Sequence, residues 1–342
     1  MKETAEFLVS TQQRANTGDI RSLSRRFTKG ELVRVRKGVY MDKGRWMSLK
    51  PWERYSATIR AVALELPSAH FCYETAAVLW GMQVVGIPAH IHLANSSSSH
   101  AGSKRPTTQA SGGTKSGSTG LERTRSYGIY RHAYQASPVH LNGLTVTDLN
   151  STASDVIARL PFARAVVLAD HAVSQKRFGA SAASVEDLHL AGESLASAAK
   201  RLWVSSVLDF ADARSGSAGE SLSRAQMHLL GFPAPELQAE FHDALGFVAR
   251  TDFYWRELKI IGEFDGDAKY LNDEYLNGGT ARETVLKEKK REDRLRAMGF
   301  HVVRWDWTTA IRPEKLLAKL EAAGLSRTRN PALRTIHRRA RG

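Results

Sequence analysis

Two short stretches of this chain bring carboxylates close together: Arg250-Thr251-Asp252-Phe253 and Gly262-Glu263-Phe264-Asp265-Gly266. The residues around them alternate in character, as in two strands, Phe247 to Trp255 and Leu258 to Asp265, with a turn near Arg256-Glu257. A turn centred between Arg256 and Glu257 sets Asp252 opposite Ile261 and makes Glu263 its diagonal neighbour on one face. Arg250, Asp252, Tyr254, Lys259, Ile261, Glu263 and Asp265 share that face. Ala249, Thr251, Phe253, Trp255, Leu258, Ile260, Gly262 and Phe264 form an apolar face opposite. Diagonal neighbours lie ~7–8 Å apart at the backbone, so their carboxylates can share one cation. Hard oxygen donors suit Mg²⁺, which binds through one or two carboxylates plus water and substrate phosphate. Such an ion lowers the pKa of water and offsets charge on a phosphoryl group. Lys269, four residues past Asp265, can orient that water or neutralise developing charge. The competing reading is a solvated polar sheet face that binds nothing.

The elements around these residues are legible. Gly219 to Leu230 reads as a helix with Leu222, Ala225 and Leu229 on one side and Glu220, Arg224 and His228 at i, i+4 on another. Gly231 caps it, and Pro233 and Pro235 stop its continuation. Leu237 to Phe241 suits a strand. Val285 to Met298 is a charged helix ended by Gly299, and Phe300 to Trp307 is a further strand. The order is strand, strand, helix, strand.

A second set of residues fits a polyanion. Between Arg14 and Arg45 stand Arg14, Arg21, Arg25, Arg26, Lys29, Arg34, Arg36, Lys37, Lys43 and Arg45, opposed by Asp19, Glu31 and Asp42. Arg21 and Arg25 are spaced i, i+4, so one helix face can lie along phosphates. Residues 4–13 read as a short helix. A second helix runs from the N-cap Asp19 through Ile20, Leu23 and Phe27 to Gly30. Leu32 to Met41 follows as a hairpin in which Val33 and Val35 alternate with Arg34 and Arg36, and Lys37-Gly38 makes the turn. Two helices and a basic hairpin outline a winged helix-turn-helix; the competing reading is a solvated basic face on a protein-interaction domain.

The stretch Phe27-Thr28-Lys29-Gly30-Glu31-Leu32-Val33-Arg34-Val35-Arg36-Lys37-Gly38-Val39-Tyr40 resembles the wing region of AbiEi-type antitoxins. Ala76-Ala77-Val78-Leu79-Trp80-Gly81 and Leu144-Thr145-Val146-Thr147-Asp148 are similar to segments that follow it. The resemblance implies a transcriptional regulator and a possible toxin partner. From about Gly219 to Trp307 the chain resembles the very-short-patch-repair (Vsr)-like branch of the PD-(D/E)XK nucleases. Glu220-Ser221-Leu222 with Leu230-Gly231-Phe232-Pro233, Arg250 to Phe253, Gly262 to Gly266 and Lys289 to Phe300 carry that likeness. It implies that Glu220 is the helix acid and that Asp252 and Glu263 are ligands of Mg²⁺. A lysine is usual two residues after the glutamate; this chain has Asp265 there, and Lys269 stands as the relocated equivalent.

The middle region has helices at Glu53 to Leu64, Tyr73 to Trp80 and Arg164 to Val173, with short strands at Ile87 to Leu93 and Tyr127 to Ala133. His90 and His92 share a strand face without an evident third ligand, and Cys72 lacks a triad context beside His70, so no chemistry is assigned there.

Whole-chain arithmetic agrees with a nucleic-acid partner. The 342 residues carry 49 Lys and Arg against 35 Asp and Glu, a net charge of +14. One cysteine excludes an intramolecular disulfide framework. No apolar run reaches the ~18 residues that span a bilayer, and Met1-Lys2-Glu3-Thr4 lacks the pattern of a signal peptide, so the expected compartment is the cytoplasm, with no membrane partner. The expected domains are 1–45, winged-helix-like; 46–212, mostly helical, with a flexible Ser/Gly-rich insertion at 95–120; 213–325, a restriction-endonuclease-like mixed sheet flanked by helices; and a basic tail, 326–342. The expected fold class is multidomain, α+β and α/β. The expected function is that of a protein binding duplex DNA, with a Mg²⁺-dependent endonuclease domain that hydrolyses phosphodiester bonds. The alternative is a non-enzymatic antitoxin-type regulator whose nuclease-like domain is degenerate.

Overall fold

The structure, a computed structural model, describes residues 7–9, 17–96, 101–104, 109–110, 127–134, 137–179, 182–266 and 281–328. The chain divides into two compact units, Met1–Thr152 and Ala153–Gly342. Among the described residues it is a mixed α/β protein with thirteen helices and three sheets. No helix among them is long and apolar enough to cross a membrane.

The first unit opens with β1 (Leu8–Val9), α1 (Thr17–Thr28), β2 (Leu32–Arg36), β3 (Val39–Asp42), α2 (Lys43–Ser48) and α3 (Pro51–Glu65). The basic hairpin forms as expected, with Val33 paired to Met41 and Arg34 to Tyr40, and Gly38 at φ +75° in the turn. Residues 8 and 9 form a strand rather than part of a helix. Leu8 pairs with Tyr40 and Val9 with Val39, and Val9 is buried beside Val33, Val35, Met41 and Trp46. Edge pairing over a shared core overrides the local helical pattern there. Among the described residues, α1 is the one helix that precedes the hairpin.

The middle region departs from expectation. Beside its helices it contains a six-stranded mixed sheet built from β4 (His70–Phe71), β5 (His90–Asn95), β6 (Gly102–Lys104), β8 (Gly128–Ala133), β9 (Pro138–Leu141) and β10 (Leu144–Thr147), in the order β6-β8-β5-β4-β10-β9. A helix α4 (Tyr73–Leu79) lies between β4 and β5 in sequence, and β7 (Gln109–Ala110) joins the first sheet beside β2. Several of these strands have two to four residues, too short to show a period of two. Helix α3 serves both cores. Its Ala57 and Ala61 pack with the first sheet, and its Tyr55, Ile59 and Val62 pack with Phe71, Ile91, Leu93 and Ile129 of the second.

Helix α5 (Leu149–Ile157) leads into the second unit, where α6 (Phe162–Ala172), α7 (Gln175–Phe178), α8 (Val185–Glu193) and α9 (Ala198–Leu208) precede α10 (Ala218–Leu230). Then come β11 (Glu236–Asp243), β12 (Gly246–Trp255), β13 (Ile260–Phe264), α11 (Ala281–Ala297), β14 (His301–Trp305), α12 (Trp307–Ala310) and α13 (Pro313–Ala322). The sheet order is β11-β12-β13-β14, with β13 and β14 parallel across the helical crossover. Both faces are covered. On one, the Trp305 indole donates to the Ser223 hydroxyl at 2.8 Å, and the rings of Trp305 and Trp255 close over Gly262. On the other, Leu295 of α11 packs with Phe241, Tyr254 and Ile261.

Candidate functional site

The carboxylate-bearing hairpin keeps its predicted faces beside the turn, where Tyr254 pairs with Ile261 and Phe253 with Gly262, but Ala249 packs with Tyr254 and Ile261 instead of on the opposite face, and the turn is longer. A short 3₁₀ turn, Arg256–Leu258, and Lys259 at φ +51° replace the tight turn, and the ladder pairs Phe253 with Gly262, Tyr254 with Ile261 and Trp255 with Ile260. The register is therefore shifted by two residues from the expected one. A shift of two preserves which face each side chain occupies. Carrying the ladder one step further sets Asp252 across from Glu263 rather than diagonal to it. At that point the backbone pairing stops. The Asp252 carboxylate accepts the Phe264 N–H at 2.8 Å, taking the place of a strand partner.

Glu263 is 5% exposed, which excludes the reading of this position as solvated polar surface. One of its oxygens, Oε2, accepts from Arg291 at 2.7 Å and from Arg304 at 2.5 Å. The other, Oε1, is buried with no hydrogen-bond partner among the described residues. Arg304 is level with Glu263 in the parallel β13–β14 ladder, and it also pairs with Glu288 and lies 3.8 Å from Asp265. Arg291 reaches Glu288 at 2.5 Å, and Glu292 lies 3.6 Å from Arg304. Residues 288, 291, 292 and 295 recur along one side of α11, which is how a highly charged helix presents both ion pairs and Leu295 to the sheet.

The electrostatics follow from this packing. Burial alone would lower the Arg304 and Arg291 guanidiniums, but the Glu263 charge and the Glu288 partner more than offset it, and both are held above the usual arginine range. Burial would raise the Glu288 carboxyl; the hydrogen bond from Arg304 and the charge of Arg291 outweigh it and hold Glu288 below its ordinary value.

Glu220 sits in the first turn of α10, whose N-cap Ser217 accepts from the Glu220 N–H. Its carboxylate accepts from the Gly216 N–H at 2.7 Å and from the Gln238 side-chain amide at 3.0 Å. Gln238 has φ +56°, unusual for a residue with a side chain, and lies where the β11–β12 ladder skips the position facing Asp252. Sequence reasoning missed Gln238, Arg291 and Arg304. A helix-face pattern in 288–295 was the available signal for Arg291; the strand register that brings in Arg304 leaves none. One turn along α10, Arg224 makes two 2.9 Å bonds to the buried Asp170 of α6. Burial pushes the Asp170 carboxyl up against the opposing pull of Arg224.

The donor set suits a hard divalent cation in its chemistry: oxygen ligands, the unpartnered Glu263 Oε1, and five carboxylates (Asp252, Glu263, Asp265, Glu288, Glu292) near Arg291, Arg304 and the outer Arg296. Among the described residues, however, no group of three or more His, Cys, Asp or Glu side chains is set to hold a metal as it stands. Asp252, Glu263 and Asp265 are neighbours whose oxygens face arginines and a backbone N–H. Lys269 lies outside the described residues.

In the first unit, Arg21 and Arg25 are exposed on α1 and Lys37 is exposed at the tip of the hairpin. Arg34 is half-buried, its guanidinium 5.3 Å from the centre of the Phe27 ring. Arg36, expected at a phosphate, is 6% exposed and ion-paired to Glu65 of α3. A register shift between Arg34 and Arg36 turns its side chain inward, breaking the Val/Arg alternation. His92 forms a 2.8 Å ring-nitrogen contact with His132 and lies 3.4 Å from Glu74, among the rings of Tyr73, Tyr130 and His90.

No protein-family model matches the chain. It is similar to "Uncharacterized protein Rv2248" of Mycobacterium tuberculosis (strain ATCC 25618 / H37Rv) and "Uncharacterized protein MT2308" of Mycobacterium tuberculosis (strain CDC 1551 / Oshkosh), each 33% identical over 97 residues. The match covers 28% of this chain and 32% of each relative, so it spans about a third of their length.

Proposed function

We propose that the chain is a DNA-binding protein whose second unit carries a divalent-metal site for phosphodiester hydrolysis. The observation that carries this reading is the junction of β12 and β13, where the ladder ends and Asp252 takes up the Phe264 N–H beside the buried Glu263. The strand–strand–helix–strand order around it supports a restriction-endonuclease-like fold of the Vsr-like kind, and the exposed bases of α1 and the hairpin support a winged-helix-like DNA contact. In this reading Asp252 and Glu263, with Asp265 next to them, hold Mg²⁺. Glu220 supports the site through Gln238. Lys269 acts on the scissile phosphate. When bound, the ion lowers the pKa of a water and offsets phosphoryl charge. Arg21, Arg25, Arg34 and Lys37 meet backbone phosphates, in the cytoplasm.

A second reading has its own support. Asp265 stands where a nuclease of this kind usually has lysine, and two arginines occupy Glu263. Both features fit an AbiEi-type regulator with a non-catalytic domain and a toxin partner. Incubating the purified protein with plasmid and single-stranded DNA, in Mg²⁺ or EDTA, divides the two. Cleavage that needs Mg²⁺ and disappears in Glu263→Gln supports the enzyme; intact DNA together with retained affinity supports the regulator.

A further inference from the structure

We propose that Arg291 and Arg304 form the phosphate-binding subsite of this centre, so that a DNA phosphate and a divalent cation bind cooperatively by displacing the two Glu263 ion pairs. The inference rests on the nuclease reading and adds an order of events to it. Glu263 Oε2 is shared by two guanidiniums while the buried Oε1 has no hydrogen-bond partner among the described residues. Glu263 thus keeps one oxygen available, while both arginines also pair with Glu288. The side chains of Arg291 and Arg304 are 25% and 22% exposed, within reach of a ligand. The planar fork of a guanidinium is suited to the paired oxygens of a phosphate. Arg304 also answers the acid at position 265. It comes from the neighbouring parallel strand, level with Glu263 and 3.8 Å from Asp265, and brings positive charge to the place where the resembled nucleases use a lysine.

The coupling follows from charge. A phosphate that draws the guanidiniums onto itself leaves Glu263 buried without a counter-ion, an expensive state. A divalent cation on the freed oxygens restores the balance. Without a phosphate, the cation must compete with two arginines. Linkage makes the effect reciprocal: DNA tightens the cation and the cation tightens DNA by the same factor.

The test is a Mn²⁺ titration of the full-length protein, with free Mn²⁺ read by electron paramagnetic resonance, alone and with a short duplex. The expected result is that DNA tightens Mn²⁺ about tenfold or more. Arg304→Gln should bind Mn²⁺ more tightly than the wild type without DNA and should lose most of the gain from DNA. Arg291→Gln serves as the second variant, with circular dichroism to show that each is folded. Equal Mn²⁺ affinity with and without DNA in the wild type overturns the coupling but leaves the nuclease reading standing. Absence of Mn²⁺ binding in both conditions overturns both. Unchanged or weaker Mn²⁺ binding in the folded variants makes the arginines structural and overturns the subsite.

Discussion

At the scale of single residues, neighbouring bases of the hairpin have opposite environments. Lys37 is exposed at the hairpin tip, but Arg36 next to it is locked against Glu65. Removing one partner of a buried pair leaves the other uncompensated, typically a loss of about 3–5 kcal/mol, and Glu65 keeps some solvent contact. Arg36→Ala should therefore destabilise the protein by about 2–3 kcal/mol in urea unfolding, with Lys37→Ala close to neutral. Equal stability of the two variants would remove the ion pair from the account. In the second unit, Asp252→Asn should weaken Mn²⁺ binding in isothermal titration while leaving the unfolding midpoint nearly unchanged, because the amide oxygen still accepts the Phe264 N–H. Asp252 and Glu263 were legible in the sequence because strand alternation assigns a face without knowledge of the turn. Arg304 was not: it lies 41 residues from Glu263, and only the parallel register brings them level. Arg36 was misread for a related reason, since a register shift reverses a face and leaves no mark in an alternating pattern.

At the scale of elements, close approach of backbone and ring fixes how α10 lies on its sheet. A Cβ added at Gly219 would sit 2.0 Å from the Phe264 ring, beside the strand end that carries Glu263. Gly219→Ala must push either α10 or Phe264 away. Overpacking of this sort costs about 1–3 kcal/mol. The variant should melt several degrees lower, and because Phe264 follows Glu263, its Mn²⁺ affinity should fall as well. A lower melting temperature with unchanged affinity would separate the helix from the site. The helices α10 and α11 and the strands β12 to β14 could be read in advance from capping glycines, prolines and periodicity. Of the six-stranded sheet, only the strands at β5 and β8 could be read. Its β4 is two residues long, and its pairing β5–β8 joins segments separated by a long insertion. Local pattern carries no information about pairings held mainly by tertiary contact.

For the whole molecule, charge and protonation make the remaining predictions. Burial holds His70, His171 and His228 below the ordinary imidazole value, His171 at about 4. A histidine depressed on folding takes up its proton more readily when unfolded, so its contribution is present above about pH 6.5 and is lost as pH falls toward 4. Stability in urea should accordingly fall between pH 7.5 and pH 5, by about 1 kcal/mol from His171 alone after allowing for solvent screening. A flat profile would mean that these rings stay accessible. The excess of 49 basic over 35 acidic residues bears on DNA more directly. If the protein binds through phosphates, the slope of log affinity against log salt is about −0.9 per neutralised phosphate. The exposed Arg21, Arg25 and Lys37 and the half-buried Arg34 are then a countable set. Replacing Arg34 and Lys37 by alanine should flatten the slope of log affinity against log salt by about two and weaken binding to all duplex sequences alike. Fluorescence anisotropy over a range of NaCl concentrations measures both quantities. Arg36→Ala, being a stability change, should leave the slope of the folded protein unaltered. A hairpin double variant with the wild-type slope and affinity would exclude the hairpin from the DNA contact and leave its charge as a means of solvation.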